Sequence, residues 1–175
     1  MEFTNYDKNY TDHETLNYIN NVFIQILYAI TNNKLDSIEH FVSDSVYQQI
    51  KTKLDELKEK GQYQKYDETN VKSTTIVEKI VEGEYFIIKV DLVSRALDYI
   101  VDENDEIVFG NDFSRKEILN HLVFKKKINA KDDDIINKCP NCGASIDINI
   151  NGKCPYCRMI FDMENHGWIL TEWSI

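Results

Sequence analysis

Four cysteines carry the clearest chemistry in this chain. Cys139-Pro140-Asn141-Cys142 and Cys154-Pro155-Tyr156-Cys157 are two C-x-x-C pairs. Each pair can form a knuckle, a tight turn that aims two sulfurs at one centre while backbone N–H groups donate to the thiolates. Pro140 fixes φ on the way in, and Gly143 tolerates the left-handed conformation after the second sulfur. Four thiolates at tetrahedral corners suit Zn²⁺, with Zn–S distances of about 2.3 Å. Four sulfurs leave no open position for water, so the zinc is expected to be structural. A rubredoxin-like iron site uses the same ligands, and disulfide or redox chemistry is a third reading. His166 stands just beyond and could replace a thiolate, although an exposed loop histidine is the plainer reading.

The stretch between the pairs, 143–153, is shorter than the ~15–20 residues of the common pattern. Ile146-Asp147-Ile148-Asn149, turning at Asn151-Gly152, would bridge it, and Asn-Gly is a type I′ hairpin signal. The spacing thus predicts a zinc ribbon over 137–160. Lys138, Lys153 and Arg158 offset Asp147 and the negative charge of a four-thiolate zinc, so the module is about neutral. No Ser–His–Asp, phosphate-loop or H-E-x-x-H pattern is present, and only 6 glycines leave no Gly-rich nucleotide cradle.

The rest of the chain must position this module. Its 175 residues suit one compact domain with a small appendage. With 20 basic and 30 acidic residues the formal charge is -10. That balance disfavours nucleic acid and spontaneous adsorption to anionic lipid. Residues 1–10 read as a mobile, polar lead without a secretory core. No apolar run reaches the ~20 residues that span a bilayer. A cytoplasmic protein is expected, where thiols stay reduced and paired cysteines suggest metal.

Thr11-Asp12-His13-Glu14 is a capping-box pattern. Leu16, Ile19, Phe23, Ile26, Leu27 and Ile30 recur at helical spacing, which predicts a helix over 12–31. Leu35, Ile38 and Phe41 suggest a short second helix. Ser43 or Ser45 caps a third, and Gly61 stops it. Residues 71–82 and 84–101 then read as strands around a tight turn at Glu82-Gly83, the second long enough to be bent or bulged. Ile107-Val108-Phe109 follows another turn. Lys116 to Leu119 has helical propensity, but the Leu122, Phe124 alternation favours a strand. In the last segment Trp168, Leu170 and Glu172 share one parity, and Ile169, Thr171 and Trp173 the other.

Helices followed by a curved antiparallel sheet resemble the nuclear transport factor two-like cone, and particular residues resemble its Tim forty-four-like branch. These are Phe41-Val42-Ser43 with Leu54-Asp55-Glu56-Leu57, and Gly83-Glu84-Tyr85. Asp98-Tyr99-Ile100-Val101-Asp102, Ile107-Val108-Phe109-Gly110 and Leu122-Val123-Phe124 followed by Lys126 complete the set. The resemblance covers 12–128, with Trp168 to Ile175 as closing strand, and bacterial members often carry a C-terminal zinc ribbon. It implies an α+β cone over 11–128 plus 167–175, N-terminal helices packed on a curved antiparallel sheet, with the ribbon inserted before the last strand.

The mitochondrial relative anchors a chaperone motor to a translocation channel beside a cardiolipin-rich membrane. The resemblance therefore implies a transport-related or membrane-proximal adaptor with a protein partner. The same cone hosts isomerases and dehydratases that keep an Asp or an Asp–His pair in an apolar pocket. Asp91, Asp98, Tyr99 and His121 are the corresponding candidates here. Surface or structural roles suit them better, so no enzyme is expected. A small-molecule pocket is the alternative, with Tyr28, Tyr85, Tyr99 and His121 as lining residues. Lys125-Lys126-Lys127 could meet a phospholipid or an acidic partner, although a solvated strand end is the plainer reading.

Overall fold

The computed structural model describes residues 2–128, 156 and 167–175. Helix α1 runs Asp12–Thr31 and starts where Thr11 accepts the Glu14 N–H at 3.2 Å. Ile19, Val22, Phe23, Ile26, Leu27 and Ile30 bury one stripe of it. The expected second helix is a single 3₁₀ turn, Leu35–Ile38. Helix α2 runs Asp44–Glu59, and Ser43 rather than Ser45 is its cap, accepting from the Val46 N–H at 3.3 Å. Gly61 ends it at φ 67°, with the Gly61 and Gln62 N–H groups donating to Lys58 and Leu57 carbonyls at 2.9 Å. That pair of bonds is the Schellman arrangement, which needs a left-handed residue after the helix.

Among the described residues, five strands form one antiparallel sheet: β1 Tyr63–Glu82, β2 Tyr85–Val101, β3 Ile107–Gly110, β4 Lys116–Lys127 and β5 Ile169–Ser174. Their order is β1-β2-β4-β5, and β3 pairs with β2 beyond the end of β4. In the central β2, Phe86, Ile88, Val90 and Leu92 are buried while Tyr85, Ile87, Lys89 and Asp91 are half-exposed. The buried set, with Leu122 and Phe124 of β4, joins the apolar stripe of α1 in one core.

The structure bears on four expectations and corrects three of them. First, β1 begins at Tyr63 rather than near 71, and the bulges lie in β1 rather than β2. Register shifts fall at Asp67/Asn70, Val71/Ser73 and Ile76/Glu78, each with an extra residue on β1. Every bulge resets the alternation, so a polar run such as Asp67-Glu68-Thr69-Asn70 hides the strand it belongs to. Second, β4 is the strand that the Leu122, Phe124 alternation favours, and it is extended from Lys116 onward, where pairing with Ala96 through Val93 overrides local helix propensity. Third, β5 carries a bulge at Thr171: Glu172 pairs with Val123, but Leu170 pairs with Phe124. The parity therefore switches inside the strand, and Leu170 and Trp173 both reach the core although they differ in parity.

Fourth, residues 2–10 are not a loose lead. Phe3 is fully buried, its ring 4.4 Å from Phe86 in a stack and 5.0 Å from Tyr10 edge-on. On the far side of β5, Phe41-Val42-Ser43 bonds to both backbone groups of Leu170 at 2.9 Å. The last strand is thus held between β4 and the residues that cap α2. Lys125 pairs with Ile169, so the strands on either side of the stretch 129–166 are neighbours. Apart from Tyr156, the ribbon expected over 137–160 falls outside the described residues.

Candidate functional site

Cys139, Cys142, Cys154, Cys157 and His166 also lie outside the described residues. Among the described residues no group of three or more His, Cys, Asp or Glu is arranged to hold a metal ion.

The four proposed pocket residues are scattered. Tyr28 projects from α1 and is 62% exposed. Tyr85 opens β2, with the Lys125 ammonium 4.0 Å from its ring centroid. The Tyr99 hydroxyl donates to the Asp67 carboxylate. That bond, followed by burial and the negative charges of Asp67, Asp112 and Asp105, pushes its pKa up to about 12. His121 and Asp91 sit opposite each other on β4 and β2, Nδ1 to Oδ1 at 2.7 Å. An Asp–His pair does form, but on the outer face of the sheet, away from α1, with both side chains over a third exposed.

The inner face is closed by its own side chains. Buried Asn120 donates to the Leu92 carbonyl, the Ser94 hydroxyl and the Ile118 carbonyl at 3.0–3.1 Å. Its carbonyl oxygen accepts from Trp173 Nε1 at 3.0 Å. This network satisfies the Asn120 amide within the core. Where α2 meets the end of β5, a groove of about 210 Å³ is lined by Ile50, Leu54, Gln64, Tyr66, Trp173 and Ile175, among others. At its edge Gln64 Nε2 donates to Asp98 Oδ1 at 2.8 Å and to the Tyr99 carbonyl at 3.1 Å. Burial, with the charge of Asp98, pushes the Tyr66 hydroxyl well above its ordinary value. None of Tyr28, Tyr85, Tyr99 and His121 lines this groove.

Among the described residues, a run of exposed apolar side chains lies on β3 and the loop after it, at the Val101 end of the sheet. Ile107 pairs with Val101, and Phe109 with Ile100. Ile107, Val108, Phe109 and Phe113 are 40%, 48%, 68% and 85% exposed. Gly110 makes this end possible. It has φ +76°, and a Cβ there would stand 2.3 Å from the Asp98 carbonyl oxygen, so only glycine lets β3 lie this close to β2. The Asn111 side chain then accepts from the Phe113 and Ser114 N–H groups at 3.3 and 2.8 Å, turning Phe113 outward. Asp102 organises the preceding turn in the same way, accepting from Asn104 and Glu106. Sequence reading missed this surface. Ile107-Val108-Phe109 reads as a strand, but four residues hold no alternation that separates a covered strand from an open one.

Among the described residues no helix is long and apolar enough to cross a membrane. No curated protein matches the chain. A match to the Tim44-like domain covers residues 1–134, which take in both helices and the first four strands. The chain belongs to the Tim44-like domain family.

Proposed function

We propose that this chain is a non-enzymatic binding and scaffolding protein, a cytoplasmic, transport-related adaptor that works close to a membrane. The observation that carries this reading is the open apolar end, Ile107, Val108, Phe109 and Phe113, on a molecule whose inner face is filled. Apolar side chains grouped in solvent mark contact surfaces. Family membership supports the binding role. A photo-reactive side chain placed at Phe113 should crosslink one discrete protein in the native cell. The same group at Val77, 60% exposed elsewhere on the sheet, should not. Equal patterns at the two positions would remove the reading. Flotation of the chain with anionic vesicles at low salt tests the membrane part, and failure to float removes it.

The adaptor also holds a structural zinc on Cys139, Cys142, Cys154 and Cys157. The two C-x-x-C spacings support it. Native mass spectrometry should find one zinc per chain, and a metal-free chain contradicts the ribbon.

A second reading rests on the groove beside Trp173, where apolar walls and the polar Gln64 and Tyr66 suit a small apolar ligand. A compound retained through gentle purification and lost in Trp173→Ala would favour it.

A further inference from the structure

We propose that the open end of the sheet docks a cationic, apolar segment of a partner protein. The segment's apolar side chains would cover Ile107, Val108, Phe109 and Phe113, and its lysines or arginines would meet the carboxylates around them. This rests on the binding reading above and names the class of partner.

Charge complementarity selects the occupant. From Leu97 to Ser114 the chain carries Asp98, Asp102, Glu103, Asp105, Glu106 and Asp112, with no lysine or arginine. Asp98 faces Gln64 and Glu103 lies beside Gly61, but Asp105 and Asp112 converge on Tyr99, which pairs with Gly110 next to Phe109. Asp67 from β1, Asp105 from the turn before β3 and Asp112 from the loop after it all act on the Tyr99 hydroxyl. Three nearby cations have acceptors of their own, while exposed Lys116 starts β4 opposite Ala96. Lys65 donates to the Thr31 carbonyl, Arg115 to Asn70 and Lys72 to Glu117.

Two other occupants are disfavoured by the same charges. A second copy would bring two acidic rims together, and like charges facing each other across an interface cost several kcal/mol. An anionic lipid surface would repel the rim. A cationic segment gains from both parts of the surface: apolar contact for affinity, and steering by the acidic rim for speed and selectivity.

The test uses the full chain and two fluorescein-labelled synthetic peptides of equal length, one built from leucine and lysine, the other from leucine and glutamate. Fluorescence anisotropy should show binding of the lysine peptide alone. Its affinity should fall about tenfold or more between about 0.1 and about 1 M NaCl, as the Debye length shrinks from ~10 to ~3 Å. A Phe109→Ser, Phe113→Ser double variant and an Asp105→Lys, Asp112→Lys double variant should each weaken it about tenfold. Val77→Ser should leave it unchanged. Circular dichroism checks that the variants fold, and the peptide and salt comparisons stand without them.

Equal binding of both peptides, or no binding, overturns the proposal. So does indifference to both tip variants, a dimer lost in Phe113→Ser, or capture of phosphatidylglycerol vesicles through the tip. Crosslinking from Phe113 to a partner whose contact segment is acidic would overturn this proposal and leave the binding reading intact. Absence of a position-specific crosslink would remove the binding reading itself.

Discussion

At the Tyr85 end of the sheet Phe3 is sealed among aromatic rings, whereas at the Val101 end Phe109 and Phe113 stand in solvent. The chain closes the first end with its own leading residues. Phe3 stacks on Phe86 and lies 6.2 Å from Trp168, while Tyr10 meets it edge-on. A polar clamp holds this plug: the Tyr10 hydroxyl donates to Asp12 at 2.7 Å, and Lys79 meets Asp12 at 3.0 Å. Lys79 also sits 5.5 Å from the Tyr10 ring centroid. Nothing comparable covers the second end among the described residues. Its turns instead hold the apolar side chains outward. The difference teaches that exposure at the Val101 end is built by Gly110, Asn111 and Asp102.

The largest expected effect tests the two ends against each other. Phe3→Ala should cost about 3–5 kcal/mol of unfolding free energy, as for a large ring removed from a core. Phe113→Ala should stay within about 0.5 kcal/mol. Urea unfolding measures both, and similar costs would break the comparison.

Next comes the inner face that separates the two ends. Trp173→Phe leaves the Asn120 carbonyl oxygen without its donor in the core, at a cost of about 1–3 kcal/mol. A loss of the same order but local is expected from Gly110→Ala, about 1–3 kcal/mol confined to β3, because the new Cβ meets the Asp98 carbonyl in a left-handed backbone. Amide exchange should quicken at 99–101 and 107–110 with little change at Phe86 or Ile88. Uniform acceleration would mean that the tip is part of the cooperative core.

The smallest effect is electrostatic. The hydrogen bond from Tyr10, with that from Lys79, holds the Asp12 carboxyl below its ordinary 3.8 despite the opposing effect of burial. A depressed folded-state pKa stabilises the fold above the unfolded value, and that stability is lost as pH falls through the folded value. Asp12→Asn should therefore cost under about 1 kcal/mol at neutral pH, and nothing at a pH well below 3.8. A cost that persists in acid would assign the role to packing.

Legibility followed the range of the signal. Both helices were readable because their stops are local: Thr11, Ser43 and Gly61 act on groups within a few residues. Phe3 was not readable, since its partners Phe86 and Trp168 are distant in sequence and the residues around it are polar. The β5 parity failed at one bulge, because two-residue periodicity has no signal for an inserted residue. The register that sets Asp91 opposite His121 was not readable, because it depends on strand partners distant in sequence, whereas the mixed parity around Asp91 reads as an exposed face. Tyr28, expected to line a pocket, stands exposed on α1 between buried Leu27 and Ala29.

The central claim is that the open end, rather than the groove or the plugged end, receives the partner. Amide hydrogen exchange on the full chain, alone and saturated with the leucine–lysine peptide, tests it most directly. The account predicts added protection across 97–114 and at Tyr63, with the region around Ile50, Leu54 and Trp173 unchanged. Protection gained at that groove or over residues 2–10, with 97–114 unaffected, would contradict it.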